Sequence, residues 1–251
     1  MKIIFGASHM PCLMNQNLHF SKIFLDRLIS DGFIRFDTAE SYCYGNSEKI
    51  LGSMRRNDLI ITTKVGGNYQ MITNSNSLLS GHRFKSAISK YEIRVLQKFY
   101  QVQYGLIPQF NPFLFPKMLK KRLEKSLKRL NRDYVDNYLL HGVPEHLDLD
   151  YFVEEMISIR NAGYVKKIGI SYNGDCSIDL NWADMIQVPF DKANKFKHIS
   201  SEISAYGVFI NPENQNINNL RSAIKNTSAK YLVVRSTNIL HLQEIANLFD
   251  S

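Results

Sequence analysis

Short apolar runs recur along the whole chain, and amphipathic segments lie between them. The runs are rich in β-branched and aromatic residues, as over 59–63, 134–140 and 231–234. Apolar runs of this length, bounded by turn residues, are typical of buried parallel strands. The pattern predicts eight strands, which end near Phe5, Asp37, Lys64, His141, Ser171, Val188, Ala205 and Arg235.

The segments between the predicted strands have helical periodicity. Residues 116–131 carry a stripe of leucines with spacings of four, four and three, formed by Leu119, Leu123, Leu127 and Leu130. Further helices are predicted over 18–31, 149–162, 216–227 and 239–249, and a short one, capped by Asn46 or Ser47, ends before Gly52. The short polar segments 175–183 and 191–199 give weaker helical patterns.

Strict alternation of strands and helices favours a parallel sheet. Eight such units predict an α/β fold of the closed (β/α)8 or TIM-barrel type, which needs roughly 250 residues. A doubly wound open sheet is the alternative, but it normally carries a G-x-G-x-x-G loop after the first strand. This chain has Gly6-Ala-Ser-His-Met there, which does not fit that pattern.

One segment, residues 66–111, interrupts the regular spacing after the third strand. It is rich in aromatic residues, and long loops in compact domains are usually functional or disordered. We expect an inserted loop that packs on the barrel as a lid, with a helical pattern over 86–100. Because no internal repeat or domain boundary is evident, residues 1–251 are predicted to form a single domain.

Composition adds limits to this picture. The 251 residues are 44% apolar and 22% charged, which is a globular balance, and the net charge of +8 permits phosphate-bearing partners. The three cysteines, Cys12, Cys43 and Cys176, do not suggest a disulfide framework, so we expect reduced thiols and a cytoplasmic protein. Apolar runs are too short for a membrane span, and the N-terminal run is too short for a signal peptide.

Four polar residues follow predicted strands at the rim where barrel active sites lie. They are Asp37, Tyr42, Lys64 and His141. A tyrosine hydroxyl can protonate a carbonyl oxygen while the carbonyl carbon accepts hydride. We expect a nearby ammonium to lower the pKa of the phenol, and a carboxylate to keep that ammonium charged. The histidine can hold the carbonyl oxygen.

Several motifs resemble those of the aldo-keto reductases. Asp37-Thr-Ala-Glu-Ser-Tyr42-Cys-Tyr-Gly45-Asn-Ser-Glu48 resembles their N-terminal signature, and Thr62-Thr-Lys64-Val their third strand. The segments 123–130, 133–141 and 163–171 resemble their third helix, fourth strand and fifth strand. The likeness covers about residues 3–249, with 66–111 unmatched.

The resemblance implies an NAD(P)H-dependent reductase of aldehydes or ketones in which Asp37, Tyr42, Lys64 and His141 are the catalytic tetrad. Tyr44 is a rival to Tyr42, but the D-T-A-x-x-Y spacing selects Tyr42. NADPH is the implied cofactor, with NADH as an alternative.

Cofactor contacts are implied for a second set of residues. Ser171 and Gln187 would hold the nicotinamide carboxamide, and Tyr206 would stack on the ring; Tyr172 stands where the family often has Asn. The eighth strand end resembles the K-S-x4-R-x2-E-N element that binds the adenosine 2′-phosphate. Its equivalents here are Arg235, Ser236, His241 and Glu244.

The departures from the family leave alternatives open. The stretch between Tyr206 and Lys230 is shorter than usual, so a cofactor-sensing barrel with little catalysis is a second hypothesis. An open pocket would suit a bulky polar substrate such as a sugar or nucleotide sugar.

A basic cluster over 117–132 could bind nucleic acid, but its leucine stripe favours a solvated outer helix, so no nucleic-acid or membrane partner is expected. We expect no metal site, and a monomer or weak oligomer.

Overall fold

Eight parallel strands close into a barrel in chain order. The computed structural model describes residues 1–8, 18–67, 114–143, 147–175 and 178–248. The strands are β1 (Lys2–Gly6), β2 (Arg35–Asp37), β3 (Ile60–Val65), β4 (Val135–Val143), β5 (Val165–Tyr172), β6 (Met185–Pro189), β7 (Glu202–Tyr206) and β8 (Tyr231–Val234). β8 pairs in parallel with β1, which closes the sheet. The predicted (β/α)8 barrel is therefore confirmed.

The described residues contain six α-helices. They are α1 (Leu18–Ser30), α2 (Asn46–Ser53), α3 (Leu119–Leu130), α4 (Asp150–Asn161), α5 (Ile217–Lys225) and α6 (Ile239–Asn247). All four leucines of the stripe predicted on α3 are buried against the barrel. The amphipathic pattern thus identified both the helix and the side that it buries.

The two weaker helical predictions have different outcomes. Residues 178–183 form no helix, so the prediction over 175–183 is wrong in its described part. The side chain of Asp179 instead accepts a hydrogen bond from the backbone N–H of Asn181 at 3.0 Å, a local bond that competes with helix formation. Over 191–199 the chain forms a 3₁₀ helix, Phe190–Phe196, directly after Pro189.

The strand register gathers the predicted site residues at one end of the barrel. Gly6 pairs with Asp37, and His141 pairs with Ser171, which pairs in turn with Gln187. Lys64 occupies the penultimate position of β3. Because the strands are parallel, these residues lie at the carboxyl ends of their strands, on the same rim.

Cys43 is disulfide-bonded, so the expectation of reduced thiols is wrong for this residue. An odd and sparse set of cysteines argues against a disulfide framework, but it still allows one bridge. The lid and the helix predicted within 66–111 lie almost entirely outside the described residues. Among the helices that are described, none combines the length and apolar character needed to cross a membrane.

Candidate active site

Lys64 is the centre of the site and is fully buried. Its ammonium donates three hydrogen bonds, to Oδ2 of Asp37 at 2.6 Å, the backbone oxygen of Thr38 at 3.1 Å and the hydroxyl of Tyr42 at 3.1 Å. These three bonds use all the donors of an ammonium group. Burial acts to lower the pKa of Lys64, but Asp37 and Tyr42 outweigh it and raise that pKa above its ordinary value. The lysine is therefore a fixed cation.

A chain of hydrogen bonds links this ammonium to the opposite side of the barrel. Oδ1 of Asp37 accepts a bond from Nε2 of Gln187 at 2.8 Å. Oε1 of Gln187 accepts a bond from the hydroxyl of Ser171 at 3.3 Å. Asp37, Gln187 and Ser171 are all buried. Of the residues predicted to bind cofactor, Gln187 is thus bonded directly to the carboxylate of the predicted tetrad, and Ser171 is connected to it through Gln187.

The phenol of Tyr42 is held between Lys64 and His141. The ammonium lies 4.8 Å from the centre of its ring, and the imidazole of His141 meets the ring edge to face at 5.5 Å between centroids. Burial raises the pKa of Tyr42 above its ordinary value, and the opposing effects of Lys64 and Arg235 do not overcome it. The expectation that the ammonium brings this pKa below its usual range is wrong here, because desolvation of the phenolate is the larger effect.

His141 is neutral in this environment. Burial, reinforced by the charge of Lys64, lowers the pKa of its imidazole to about 3. Its Nδ1 is buried and has no hydrogen-bond partner among the described residues. A side chain at Gly67 would collide with it, because a Cβ there would lie 2.4 Å from Nδ1. The absence of a side chain at Gly67 makes room for the ring.

A cavity of about 550 Å³ opens above these residues. Three members of the predicted tetrad, Asp37, Tyr42 and His141, line it, while Lys64 lies beneath them. The lining also includes four residues predicted to contact the cofactor, namely Ser171, Gln187, Tyr206 and Arg235. Tyr42, and not its rival Tyr44, belongs to this lining.

The other residues predicted to bind the adenosine phosphate lie outside the described lining of the cavity. The hydroxyl of Ser236 accepts a hydrogen bond from the backbone N–H of Asn238 at 3.0 Å, at the start of α6. The imidazole of His241 packs on Phe209, with 5.4 Å between ring centroids, and Glu244 is exposed. The structure therefore brings only Arg235 of this element to the cavity.

Two residues of the cavity lining, Ser8 and Asn173, were not predicted from the sequence, and Tyr172, which was noted at a cofactor position, does not line the cavity. Tyr172 is fully buried and packs edge to face on Phe196 at 6.2 Å, so it belongs to the core. The next residue, Asn173, lines the cavity, and its side-chain oxygen accepts a hydrogen bond from the hydroxyl of Tyr206. Its place directly after a strand was the available signal. Ser8 accepts a bond from Arg235 at 3.4 Å across the ends of β1 and β8.

The described residues contain no group of three or more His, Cys, Asp or Glu side chains placed to hold a metal ion. The single carboxylate of the rim network, Asp37, is engaged by Lys64 and Gln187. The arrangement is suited to moving a proton at the hydroxyl of Tyr42, next to a buried cation.

Comparison with known proteins places this geometry in a family. Two Bacillus subtilis proteins are similar in sequence: oxidoreductase YqkF, 27% identical over 150 residues, and aldo-keto reductase YhdN, 24% identical over 148 residues. These alignments cover 59% and 57% of this chain, but only 38% and 34% of the two relatives. The chain thus matches little more than a third of their length.

Solved structures show the same fold at lower identity. Aldo-keto reductase AKR11C1 of Bacillus halodurans, in its holo form, matches 100% of this chain and 87% of its own, with a TM-score of 0.69 and 16% identity. An aldo-keto reductase of Klebsiella pneumoniae, solved with NADPH, matches 99% of this chain and 85% of its own, with a TM-score of 0.58 and 19% identity. The model of the aldo/keto reductase family matches residues 2–217, so this chain belongs to the aldo/keto reductase family.

Proposed function

We propose that this protein is an oxidoreductase that reduces an aldehyde or ketone to an alcohol, with NADPH as the reductant and NADH as a second accepted cofactor. The observation that carries the proposal is the buried ammonium of Lys64, bonded to both Asp37 and the hydroxyl of Tyr42 below a cavity that His141 also lines. Family membership supports it, and a solved relative from Klebsiella pneumoniae is a complex with NADPH.

The residues of the cavity fit a nicotinamide dinucleotide. Ser171, Gln187 and Asn173 offer a hydroxyl and two amides, which suit the carboxamide of a nicotinamide ring, and Tyr206 offers an aromatic face. Arg235 offers a guanidinium for a phosphate, including the adenosine 2′-phosphate that distinguishes NADPH. When bound, the cofactor supplies a hydride to the carbonyl carbon.

Tyr42 is the proton donor in this proposal. Its raised pKa keeps the hydroxyl protonated at neutral pH, so the proton is available when a carbonyl oxygen gains charge. Lys64 then stabilises the phenolate at the distance that the hydrogen bond already sets, 3.1 Å. Asp37 offsets the cost of keeping the ammonium charged in a buried site.

His141 orients the carbonyl oxygen. A neutral imidazole has one N–H donor and one acceptor nitrogen. Because a buried N–H without an acceptor is rarely tolerated, the proton belongs on Nε2 and the partnerless Nδ1 is the bare nitrogen. His141 therefore has a donor available for a substrate oxygen in the cavity.

The substrate class is proposed from the cavity wall. Ser8, Asn173 and Arg235 give it polar groups beside the catalytic residues, which suit a sugar or nucleotide-sugar carbonyl. Val208, Phe209 and Ile210 form an apolar side of the same cavity. A panel of sugar aldehydes and simple apolar aldehydes of similar size would show which side selects the substrate.

The experiment is NADPH consumption with this panel, for the wild type and Tyr42→Phe. We expect turnover by the wild type and a fall of about 10²- to 10⁴-fold in kcat for the variant, the usual contribution of a general acid. The dissociation constant for NADPH, measured by calorimetry, should stay nearly unchanged. Normal turnover by Tyr42→Phe would refute the assignment, and cofactor binding by a wild type without turnover would favour the sensing alternative.

A further inference from the structure

Two buried glutamates flank Tyr42 along the chain, and each is held by an arginine of α3. Glu40, two residues before Tyr42, is only 4% exposed. Its Oε2 accepts a hydrogen bond from Nε of Arg122 at 2.9 Å, and its Oε1 lies 2.7 Å from Nη2 of the same guanidinium. This two-point contact fixes the plane of the carboxylate as well as its position.

The second glutamate lies on the other side of Tyr42 along the chain and is also held by an arginine of α3. Glu48 is fully buried in α2, and its Oε2 accepts a hydrogen bond from Nε of Arg129 at 2.5 Å. Arg129 also donates from Nη2 to the hydroxyl of Ser126 at 3.0 Å. Arg122 and Arg129 are seven residues apart, which is two helical turns, so they lie on the same side of α3.

Both glutamates also hold β3 on either side of Lys64. Oε1 of Glu40 accepts the backbone N–H of Gly66 at 3.1 Å. Oε1 of Glu48 accepts the hydroxyl of Thr63 at 2.6 Å. Each ion pair therefore connects three elements: the chain segment that carries Tyr42, the end of the strand that carries Lys64, and helix α3.

The segment between the two glutamates needs such support. Directly after Tyr42, Cys43 and Tyr44 adopt φ values of 48° and 56°, in the left-handed region that residues other than glycine seldom occupy. Such conformations persist when the surrounding structure holds them, and they are common at functional sites. Arg129 contributes here as well, because its side chain passes beneath Gly45.

We propose that Glu40–Arg122 and Glu48–Arg129 act together as an arginine brace, a set of positioning residues that fixes the hydroxyl of Tyr42 against the ammonium of Lys64. The inference rests on the proposed function. In both pairs the glutamate is buried and the arginine is partly exposed. Ion pairs withdrawn from water contribute little to net stability when compared with well-packed apolar residues, so stability alone does not account for two of them at this place. Catalytic groups, by contrast, must be held to a fraction of an ångström.

The proposal gives the basic helix α3 a role within the chain. Arg122 and Arg129, which belong to the cluster first considered for nucleic acid, face the barrel through these two ion pairs. Gly52 of α2 lets the two helices approach, since a Cβ there would lie 2.3 Å from the backbone oxygen of Arg129. α3 is thus placed to fix the position of the chain segment that carries Tyr42.

The test uses Arg122→Met and Arg129→Met in the full chain, with Arg160→Met as the matched control. Arg160 pairs with Asp184 at 2.8 Å, at the opposite end of the barrel. We expect each brace variant to lose about tenfold or more in kcat, with KM and the dissociation constant for NADPH changed by about twofold at most. The alkaline limb of the kcat profile should move to higher pH as the contact between Tyr42 and Lys64 loosens. The control should keep both the kcat and the limb of the wild type.

A second readout does not depend on turnover. Labelled histidine NMR should show the imidazole of His141 titrating closer to its ordinary pKa in the brace variants. The reason is that Glu40 holds the backbone of Gly66, and the next residue, Gly67, lies against the imidazole, so both glycines are held less firmly when the brace is removed. Where a methionine variant does not fold, Glu40→Gln and Arg122→Lys serve instead: Gln keeps the volume but replaces one acceptor oxygen with a donor, and Lys keeps the charge but loses the two-point contact. Unchanged kcat, pH limb and His141 titration in folded variants would overturn the brace. A wild type without carbonyl reductase activity would overturn the proposed function and leave the NMR test of the brace intact.

Discussion

The space around His141 gives a sharp prediction at Gly67. In Gly67→Ala the added methyl carbon would lie 2.4 Å from Nδ1 of His141 and 2.8 Å from the hydroxyl oxygen of Ser41. Ordinary contacts between such atoms are about 3.5 Å, so the imidazole must move by about 1 Å. Misplacement of a catalytic group by 1 Å costs about 100-fold in rate, and we expect kcat to fall by about that factor.

The assay compares kcat, KM and NADPH binding in Gly67→Ala and Gly163→Ala. Gly163 follows α4 with a φ of 82° and has open space around its Cβ position, so alanine there strains the backbone, by about 1–2 kcal/mol, without touching the site. The control should be less stable but fully active once folded. If Gly67→Ala retains wild-type kcat, His141 does not need the position that the structure gives it, and its role as the orienting donor is refuted.

Two further predictions concern charge. Because the pKa of His141 is about 3 when folded and about 6.5 when unfolded, the unfolded chain binds the extra proton first as the pH falls. This contribution to the free energy of unfolding is complete above pH 6.5 and decreases towards pH 3. The His141→Gln variant lacks it, so its free energy of unfolding, measured by urea titration, should fall less than that of the wild type between pH 6.5 and 4. The difference between the two falls should be at most about 3 kcal/mol. Arg235→Ala should weaken NADPH binding about tenfold, the usual value of a charged hydrogen bond, and should weaken NADH binding less. Ser236→Ala should change the binding of both cofactors little, because the Ser236 hydroxyl is bonded to the backbone N–H of Asn238. Equal losses for the two cofactors in calorimetry would contradict the contact of Arg235 with the 2′-phosphate.

The sequence was sufficient for the barrel because its local signals agreed with the final packing. The predicted apolar runs form the strands, and the leucine stripe forms the buried side of α3. The segment at 178–183 was different, since the bond from Asn181 to the side chain of Asp179 competes with a helix and leaves no trace in periodicity. Local patterns therefore predict an element well where packing and local hydrogen bonds favour the same conformation.

The site was predictable in its composition and less so in its energetics. Strand ends and a family-like signature pointed to Tyr42 and Lys64, which the structure joins at 3.1 Å. The direction of the Tyr42 pKa shift depends on how deeply the phenol is buried, which no spacing of residues encodes. The pairing of Glu40 with Arg122 spans 82 residues, so it too emerges only from the folded chain.

In the proposed reaction, Tyr42 gives its proton to a carbonyl oxygen while hydride reaches the carbonyl carbon. Its most direct test is a single turnover with NADPH that carries deuterium at the transferred position of the nicotinamide ring. The wild type should place deuterium on the carbinol carbon of the product, and Tyr42→Phe should bind the same cofactor and form almost no labelled alcohol. Labelled alcohol formed equally fast by Tyr42→Phe, or none formed by a wild type that binds cofactor and substrate, would contradict the claim.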